Sequence, residues 1–136
     1  MNIRYVRYGR NNLRVSKRWA KVLKAADKDH VRFTLTSGHR SMREQTVLFR
    51  RNMRWTGLRW VQRPGRPLTA FPSPTAPHIR VGRHAHAIDV NSLDGGETRL
   101  QRWLERKGAH PTNPVPGESW HLELTGQGLK RLARKL

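Results

Sequence analysis

The stretch Gly117-Glu118-Ser119-Trp120-His121-Leu122-Glu123-Leu124 places a carboxylate three residues before an imidazole. An upstream stretch, His84-Ala85-His86-Ala87-Ile88-Asp89-Val90, adds an aspartate and further histidines. Two imidazoles and one carboxylate bind Zn²⁺ and leave a fourth position for water. A spare glutamate can then accept a proton from that water. Together the two stretches predict a zinc site with hydrolytic chemistry.

The composition restricts both the metal site and the partners. The 136 residues suit one domain, residues 1–136. Because the chain has no cysteine, His and carboxylate side chains must hold any transition metal. The formal net charge is +19, from 28 Lys+Arg against 9 Asp+Glu, and such a charge attracts polyanions. Nucleic acid and an anionic cell envelope both fit, since the basic residues are spread along the whole chain.

The apolar pattern predicts helices and short strands in alternation. Helices are expected after a cap at Ser16 (through Ala26), over 41–55 with Val47, Leu48 and Met53 on one side, over 97–107 with Leu100, Trp103 and Leu104 inward, and over 128–136. Strands are expected at 31–36, 85–90 and 120–124. Residues 56–77, with five of the eight prolines, are expected to form a long irregular loop. These elements predict an α+β fold, a single small domain with a short antiparallel sheet flanked by helices.

The two carboxylates of the predicted site have different requirements. Positions three apart on a strand point to opposite faces, so Glu118 can face the same metal as His121 only from a turn before the strand. Prolines and a glycine just before Glu118 favour that turn. Asp89 lies between Ile88 and Val90 and needs a compensating charge if it is buried. Either a metal or one of the many arginines could supply it.

The second imidazole has three candidates, His78, His84 and His86. On one regular strand the odd spacing puts His84 and His86 on the face opposite Asp89. His78 lies in the preceding loop and is free to fold back, so we prefer it. A bulge in the strand would reverse that choice.

Arg40 is a candidate for substrate recognition. It lies in Ser37-Gly38-His39-Arg40-Ser41, at a predicted junction between strand and helix. A guanidinium group at such a junction can hold a substrate carboxylate or carbonyl through planar, bidentate hydrogen bonds. Ser37, Trp120 and His86 are further expected substrate contacts.

Three blocks of the sequence resemble the LAS-type zinc peptidases. This group holds D-alanyl-D-alanine carboxypeptidases, vancomycin-resistance dipeptidases, phage endolysin peptidases and the Hedgehog signalling domain. Ser37-Gly38-His39-Arg40-Ser41 with Glu44-Gln45 is similar to the family's Ser-Gly-Tyr-Arg-Ser…Gln block. Gly82-Arg83…Ala87-Ile88-Asp89-Val90 is similar to the end of its His-x-x-Gly-x-Ala-x-Asp block, and Glu118-Ser119-Trp120-His121 to its Glu-x-Trp-His block. The blocks occur in the family's order over most of the chain.

The first ligand position departs from the family pattern. The family places its first ligand histidine seven residues before the aspartate, where this chain has Gly82, and His78 lies eleven before Asp89. A few extra residues around Arg83-His84-Ala85-His86 account for the difference and keep His78 as the ligand. The resemblance then implies zinc bound by His78, Asp89 and His121, with Glu118 as general base and Arg40 on the substrate.

The resemblance also implies a substrate and a place of action. The substrate would be a peptide bond of the bacterial cell-wall stem peptide or crosslink, often next to a D-amino acid. No signal peptide and no membrane-spanning stretch are predicted. We therefore expect a bacteriophage endolysin of the host cytoplasm, a monomer released through a holin to act on the wall. Its partners would be peptidoglycan and the anionic envelope, with no specific nucleic acid.

Two other classes of protein remain as alternatives. A small basic metal-dependent nuclease fits the charge, the histidines and Asn91 near Asp89, but it gives the Glu118–His121 block no role. A zinc-binding module without catalysis fits the ligands, but it has no need of Glu118 beside an open metal position.

Overall fold

The computed structural model describes residues 4–73, 76, 78–79, 85–91, 96–113 and 119–136. These residues form four helices and seven strands, and every strand pair is antiparallel. The helices are α1 (Lys17–Lys28), α2 (Met42–Asn52), α3 (Gly96–Arg106) and α4 (Gly126–Lys135). The strands are β1 (Tyr5–Tyr8), β2 (Leu13–Ser16), β3 (Thr34–Ser37), β4 (Met53–Trp55), β5 (Trp60–Gln62), β6 (Ala85–Asn91) and β7 (His121–Thr125). The predicted α+β class with short antiparallel sheets is confirmed.

A three-stranded sheet in the order β3-β6-β7 occupies the centre of the fold. Side chains alternate along β6, so Ile88 and Val90 share one face of the sheet. They are buried in one core cluster with Trp19 and Leu23 of α1. Each large apolar side chain buried in this way stabilises a fold by about 1.5–3 kcal/mol. Asp89 points to the opposite face, and that face carries the candidate site.

The predicted cap of α1 and the predicted inward faces of α1 and α3 are confirmed. The Ser16 hydroxyl accepts a hydrogen bond from the backbone N–H of Trp19, at 3.1 Å, and begins α1 as predicted. On α3 the predicted inward residues Leu100, Trp103 and Leu104 are all buried. Both helices follow the 3.6-residue period closely because their apolar residues face one core.

The prediction for α2 is wrong at its end and on its inward face. The helix ends at Asn52, and residues 53–55 form β4, which pairs with β5. Val47 is 54% exposed, whereas Gln45, Phe49 and Asn52 are buried. The two polar residues are buried because they are hydrogen-bonded. Gln45 Nε2 donates to the Ala70 carbonyl at 2.8 Å, and Asn52 Nδ2 donates to Thr69 Oγ1 at 2.7 Å.

Two hairpins were not predicted. β1 and β2 pair before α1, and β5 interrupts the segment expected to be one long loop. These strands are only three or four residues long, which is too short for the alternation that usually marks a strand to stand out. No helix among the described residues is long and apolar enough to cross a membrane.

Candidate metal centre

Asp89 and His121 meet because β6 and β7 pair with these two residues as direct cross-strand partners. His121 Nδ1 lies 2.9 Å from Asp89 Oδ1, and His78 Nε2 lies 3.3 Å from Asp89 Oδ2. One ligand atom from each of the three residues lies within 4.8 Å of the others. The structure therefore gathers the three residues that the sequence predicts as zinc ligands. Among the described residues it gathers no other such group.

The His78 ring is oriented by the chain segment that follows β3. His78 Nδ1 lies 2.9 Å from the Gly38 carbonyl oxygen. Because a carbonyl oxygen only accepts, Nδ1 carries the proton and donates it. The lone pair of the neutral ring is then at Nε2, the atom that faces Asp89. The Arg40 N–H also donates to the His78 carbonyl at 2.8 Å, so one segment holds both the ring and the backbone of His78.

Gly38 lies where this segment crosses the end of β2. A Cβ at Gly38 would overlap the carbonyl oxygen of Arg14. The His39 N–H donates to that same oxygen at 2.7 Å, which keeps the two backbones in contact. Burial lowers the pKa of His39 to about 4, so its ring, stacked on Tyr5 at 4.3 Å, is neutral at physiological pH. The carbonyl that orients His78 is thus held by a close backbone contact.

Asp89 is a largely buried carboxylate that stays ionised. Burial by itself raises the pKa of Asp89, but the hydrogen bond with His121, together with the His78 imidazole beside it, outweighs burial and holds the pKa well below its usual range. The sequence allowed two sources of compensating charge for Asp89, a metal or an arginine. The described residues supply no arginine. They place two imidazoles beside Asp89. The carboxylate itself can therefore accept a cation without first losing a proton.

A second carboxylate lies behind His121. His121 Nε2 is 3.7 Å from Glu123 Oε1, and both side chains are 1% exposed. Glu123 shares the face of β7 with His121 because the two are two residues apart. Carboxylates at the non-ligand nitrogen of a metal-binding histidine fix its orientation and raise its basicity. Sequence reasoning missed this role, and its signal was the two-residue spacing between His121 and Glu123.

A cleft of about 300 Å³ opens over the three candidate ligands, with Arg40 and Trp120 in its wall. Arg40 donates from Nη1 to Gln45 Oε1 at 3.2 Å and from Nη2 to Ser37 Oγ. These contacts hold the guanidinium in place beside the cleft, where it can donate to a substrate oxygen. Ser37 supports Arg40 and is not part of the cleft wall. Trp120 is 40% exposed and offers an apolar surface to a ligand.

Other predicted site residues are not brought into the cleft or lie outside the described residues. His86 is buried on the face of β6 opposite Asp89, near α1 and α4, as the odd spacing predicted. The structure therefore does not bring its side chain to the cleft, where a substrate contact was expected. Glu118, the predicted general base, and His84 lie outside the described residues.

The donor atoms of this centre fit zinc. Two imidazole nitrogens and one carboxylate oxygen, without thiolates, are a common catalytic zinc set with one position left for water or substrate. The tautomer of His78 leaves the correct nitrogen unprotonated, and the ionised Asp89 supplies a negative charge. The His-Asp-His group can therefore bind the metal that the sequence predicts.

Solved structures with this fold include two vancomycin-resistance proteins. VanYB in complex with D-alanine-D-alanine matches with a TM-score of 0.56 and 18% identity, over 99% of this chain and 84% of that one. A mutant of the D,D-pentapeptidase VanY from a VanB-type resistance cassette, in complex with Zn(II), matches with a TM-score of 0.52 and 19% identity, over 98% and 85%. No family model and no curated protein matches the sequence. The chain has the fold of these two structures, as the resemblance implied.

Proposed function

We propose that the chain is a zinc-dependent peptidase that hydrolyses a peptide bond of bacterial peptidoglycan. One observation carries the proposal. His78, Asp89 and His121 converge at the base of a cleft, and a fixed arginine, Arg40, lies in its wall. The ligand set leaves an open position, as catalysis requires, and the complex of VanYB with D-alanine-D-alanine supports a D-amino acid at the cleaved bond.

Each residue of the cleft has its own role in the proposed reaction. Bound zinc supplies a Lewis acid, which polarises a carbonyl and brings the pKa of water to about 7. Arg40 binds and orients the oxygen of the substrate from its place in the cleft wall. Glu118 accepts the proton of the attacking water and passes it to the leaving amine. Trp120 covers the substrate on the side next to His121.

Within this class we propose the role of an endolysin. The charge of +19 suits an enzyme that must reach an anionic envelope. Such a protein would be made in the host cytoplasm and would reach the wall after holin-dependent release. It would act as a monomer on stem peptides or crosslinks, as a carboxypeptidase or an endopeptidase.

The test is incubation with purified peptidoglycan and with a soluble stem peptide, with and without chelator, followed by mass analysis of the fragments. Zinc-dependent release of peptide is the expected result. Glu118→Gln keeps the shape of the side chain and removes the base, so zinc should stay bound while activity falls by about 10²–10⁴-fold. Near wild-type activity in this variant would rule out the mechanism.

Two comparisons separate the alternatives. His78→Ala and His121→Ala should lose zinc, whereas His86→Ala should keep it. Loss of zinc only in His86→Ala would overturn the assignment of the first ligand. Plasmid DNA is the matched second substrate, and metal-dependent cleavage of DNA without release of peptide would replace the peptidase by a nuclease.

A further inference from the structure

The hairpin arm, residues 53–62, exposes apolar side chains at its outer end. Trp55 and Trp60 are direct cross-strand partners, with ring centroids 5.7 Å apart, and are 55% and 38% exposed. Leu58 lies in the turn between them and is 90% exposed. Exposed apolar groups that cluster in this way usually mark a binding surface.

The base of the hairpin arm is fixed to the rest of the fold. Trp60 packs edge-on against Phe49 of α2, with centroids 4.6 Å apart, and Phe49 also contacts Phe71. The Arg63 N–H donates to the Asn52 carbonyl at 2.8 Å. The exposed side chains therefore sit on an anchored element, and the arm presents them in one orientation.

The sequence around the hairpin arm carries only positive charge. No Asp or Glu occurs between Glu44 and Asp89. Six arginines occur over residues 50–66, namely Arg50, Arg51, Arg54, Arg59, Arg63 and Arg66, and all six are exposed. An anionic bilayer surface can interact with such an arm in two ways, through its exposed apolar side chains and through its arginines. Tryptophan rings prefer the level of the headgroups, and arginines are attracted to anionic lipid.

We propose that the hairpin arm binds the surface of an anionic lipid bilayer. Leu58 enters the outer acyl region, Trp55 and Trp60 lie at the level of the headgroups, and Arg54 and Arg59 contact the lipid phosphates. A neutral sugar chain would use the flat faces of the tryptophans but would give the tip leucine and the arginines no role. The bilayer is therefore the partner that accounts for all five side chains.

Binding in this way would also place the cleft. Residues 67–70 follow the arm and form part of the cleft wall. Gln45 and Asn52 tie that segment to α2, directly before the arm. An arm bound to a bilayer therefore holds the cleft near the membrane surface. This inference does not depend on the proposed peptidase activity.

The chain has no cysteine, so a single introduced cysteine can carry a fluorophore that responds to polarity. Leu58→Cys reports the tip of the arm, and Met42→Cys, at a site 42% exposed at the start of α2, is the matched control. With vesicles of phosphatidylglycerol we expect a blue shift and a gain in intensity at position 58 and neither at position 42. Vesicles of phosphatidylcholine should give much weaker binding. No response at position 58 to phosphatidylglycerol would overturn the proposal.

A binding assay then separates insertion from net charge. Leu58→Asp should weaken binding to phosphatidylglycerol vesicles by about tenfold or more, because it removes the leucine that the bound state buries in the bilayer. Met42→Asp makes the same change of charge and should leave binding within about twofold of the parent. Equal loss of binding in both variants would show that only the net charge matters, and it would overturn the insertion of Leu58 into the bilayer. A response at position 58 to isolated glycan strands, without one to vesicles, would assign the arm to polysaccharide and overturn the proposal.

Discussion

At the scale of single residues, the imidazole of His121 has a carboxylate beside each of its nitrogens. Asp89 faces Nδ1, the proposed ligand atom, and Glu123 faces Nε2. When Nδ1 binds a metal, Nε2 carries the proton and faces the Glu123 carboxylate. That arrangement selects one tautomer and holds the ring in the direction of the metal.

Glu123→Gln tests this arrangement. The amide keeps the size of the side chain and an acceptor oxygen but removes the carboxylate, so zinc affinity should fall by about 10–100-fold. Competition with a chelator of known affinity measures the change. The exposed Glu105 offers the matched control, and Glu105→Gln should leave zinc affinity as it is. Unchanged affinity in Glu123→Gln would show that Glu123 does not position the ring.

Sequence reasoning found the residues of the centre through the chemistry of their side chains. A zinc site without cysteine needs imidazoles and carboxylates, and strand alternation correctly put His86 on the face opposite Asp89. His78 was selected because a loop residue can fold back toward Asp89. In the structure, a hydrogen bond to the Gly38 carbonyl holds its ring in that position. Glu123 was missed because a glutamate between two leucines has no distinctive pattern. The role of Glu118 stays a prediction.

At the scale of the elements, the end of β3 controls the centre through Gly38. Its carbonyl orients His78, and its missing side chain lets the backbone reach the Arg14 carbonyl. A side chain there would push the segment away from β2 and move the carbonyl with it. The metal centre therefore depends on a contact between two strand ends in which no ligand takes part.

Gly38→Ala should weaken both the fold and the site. Overpacking at a close contact costs about 1–3 kcal/mol, so the free energy of unfolding should fall by that amount without metal. Zinc affinity should fall as well. Chemical denaturation with chelator, and separately zinc titration, measure the two effects. Gly128→Ala is the control, because its added Cβ meets only the Thr125 hydroxyl. Stability and zinc affinity equal to the parent in Gly38→Ala would contradict this account.

Element boundaries were predicted to within about two residues for α1, α3, β6 and β7, and less well for α2. The inward faces of α1 and α3 are apolar throughout, and both were located correctly. The buried face of α2 contains Gln45 and Asn52, whose hydrogen bonds to residues 69–70 cannot be read from the spacing of apolar residues. The predicted helix was therefore too long, its inward face was wrong, and it included the residues of β4.

At the scale of the whole molecule, basic side chains line a groove that lies away from the cleft. The groove, of about 660 Å³, lies between β1, α1 and α4 on the side of the sheet that carries His86. Within the described residues its lining has six cationic side chains and no acidic one, namely Arg4, Arg7, Lys17, Arg18, Lys21 and Lys24. A long anionic polymer could bind there while the cleft stays open.

For the endolysin proposed above, binding to the envelope should depend on salt more strongly than catalysis does. Lysis of whole cells should fall steeply above physiological ionic strength, where the Debye length is about 8 Å. Cleavage of a short soluble peptide should change little. Lys21→Gln with Lys24→Gln should reduce the salt dependence of lysis and leave peptide cleavage unchanged. Equal salt sensitivity on both substrates would argue against targeting by charge.

The pairing of β6 with β7 has a further consequence for how the protein folds. Asp89 and His121 are 32 positions apart, yet they lie directly opposite each other. A slip of one residue would turn His121 to the other face and separate it from Asp89. Contacts between such distant positions are slow to form, because a long segment must close first. The rate of zinc uptake during refolding should therefore report the rate at which the central sheet reaches its native register.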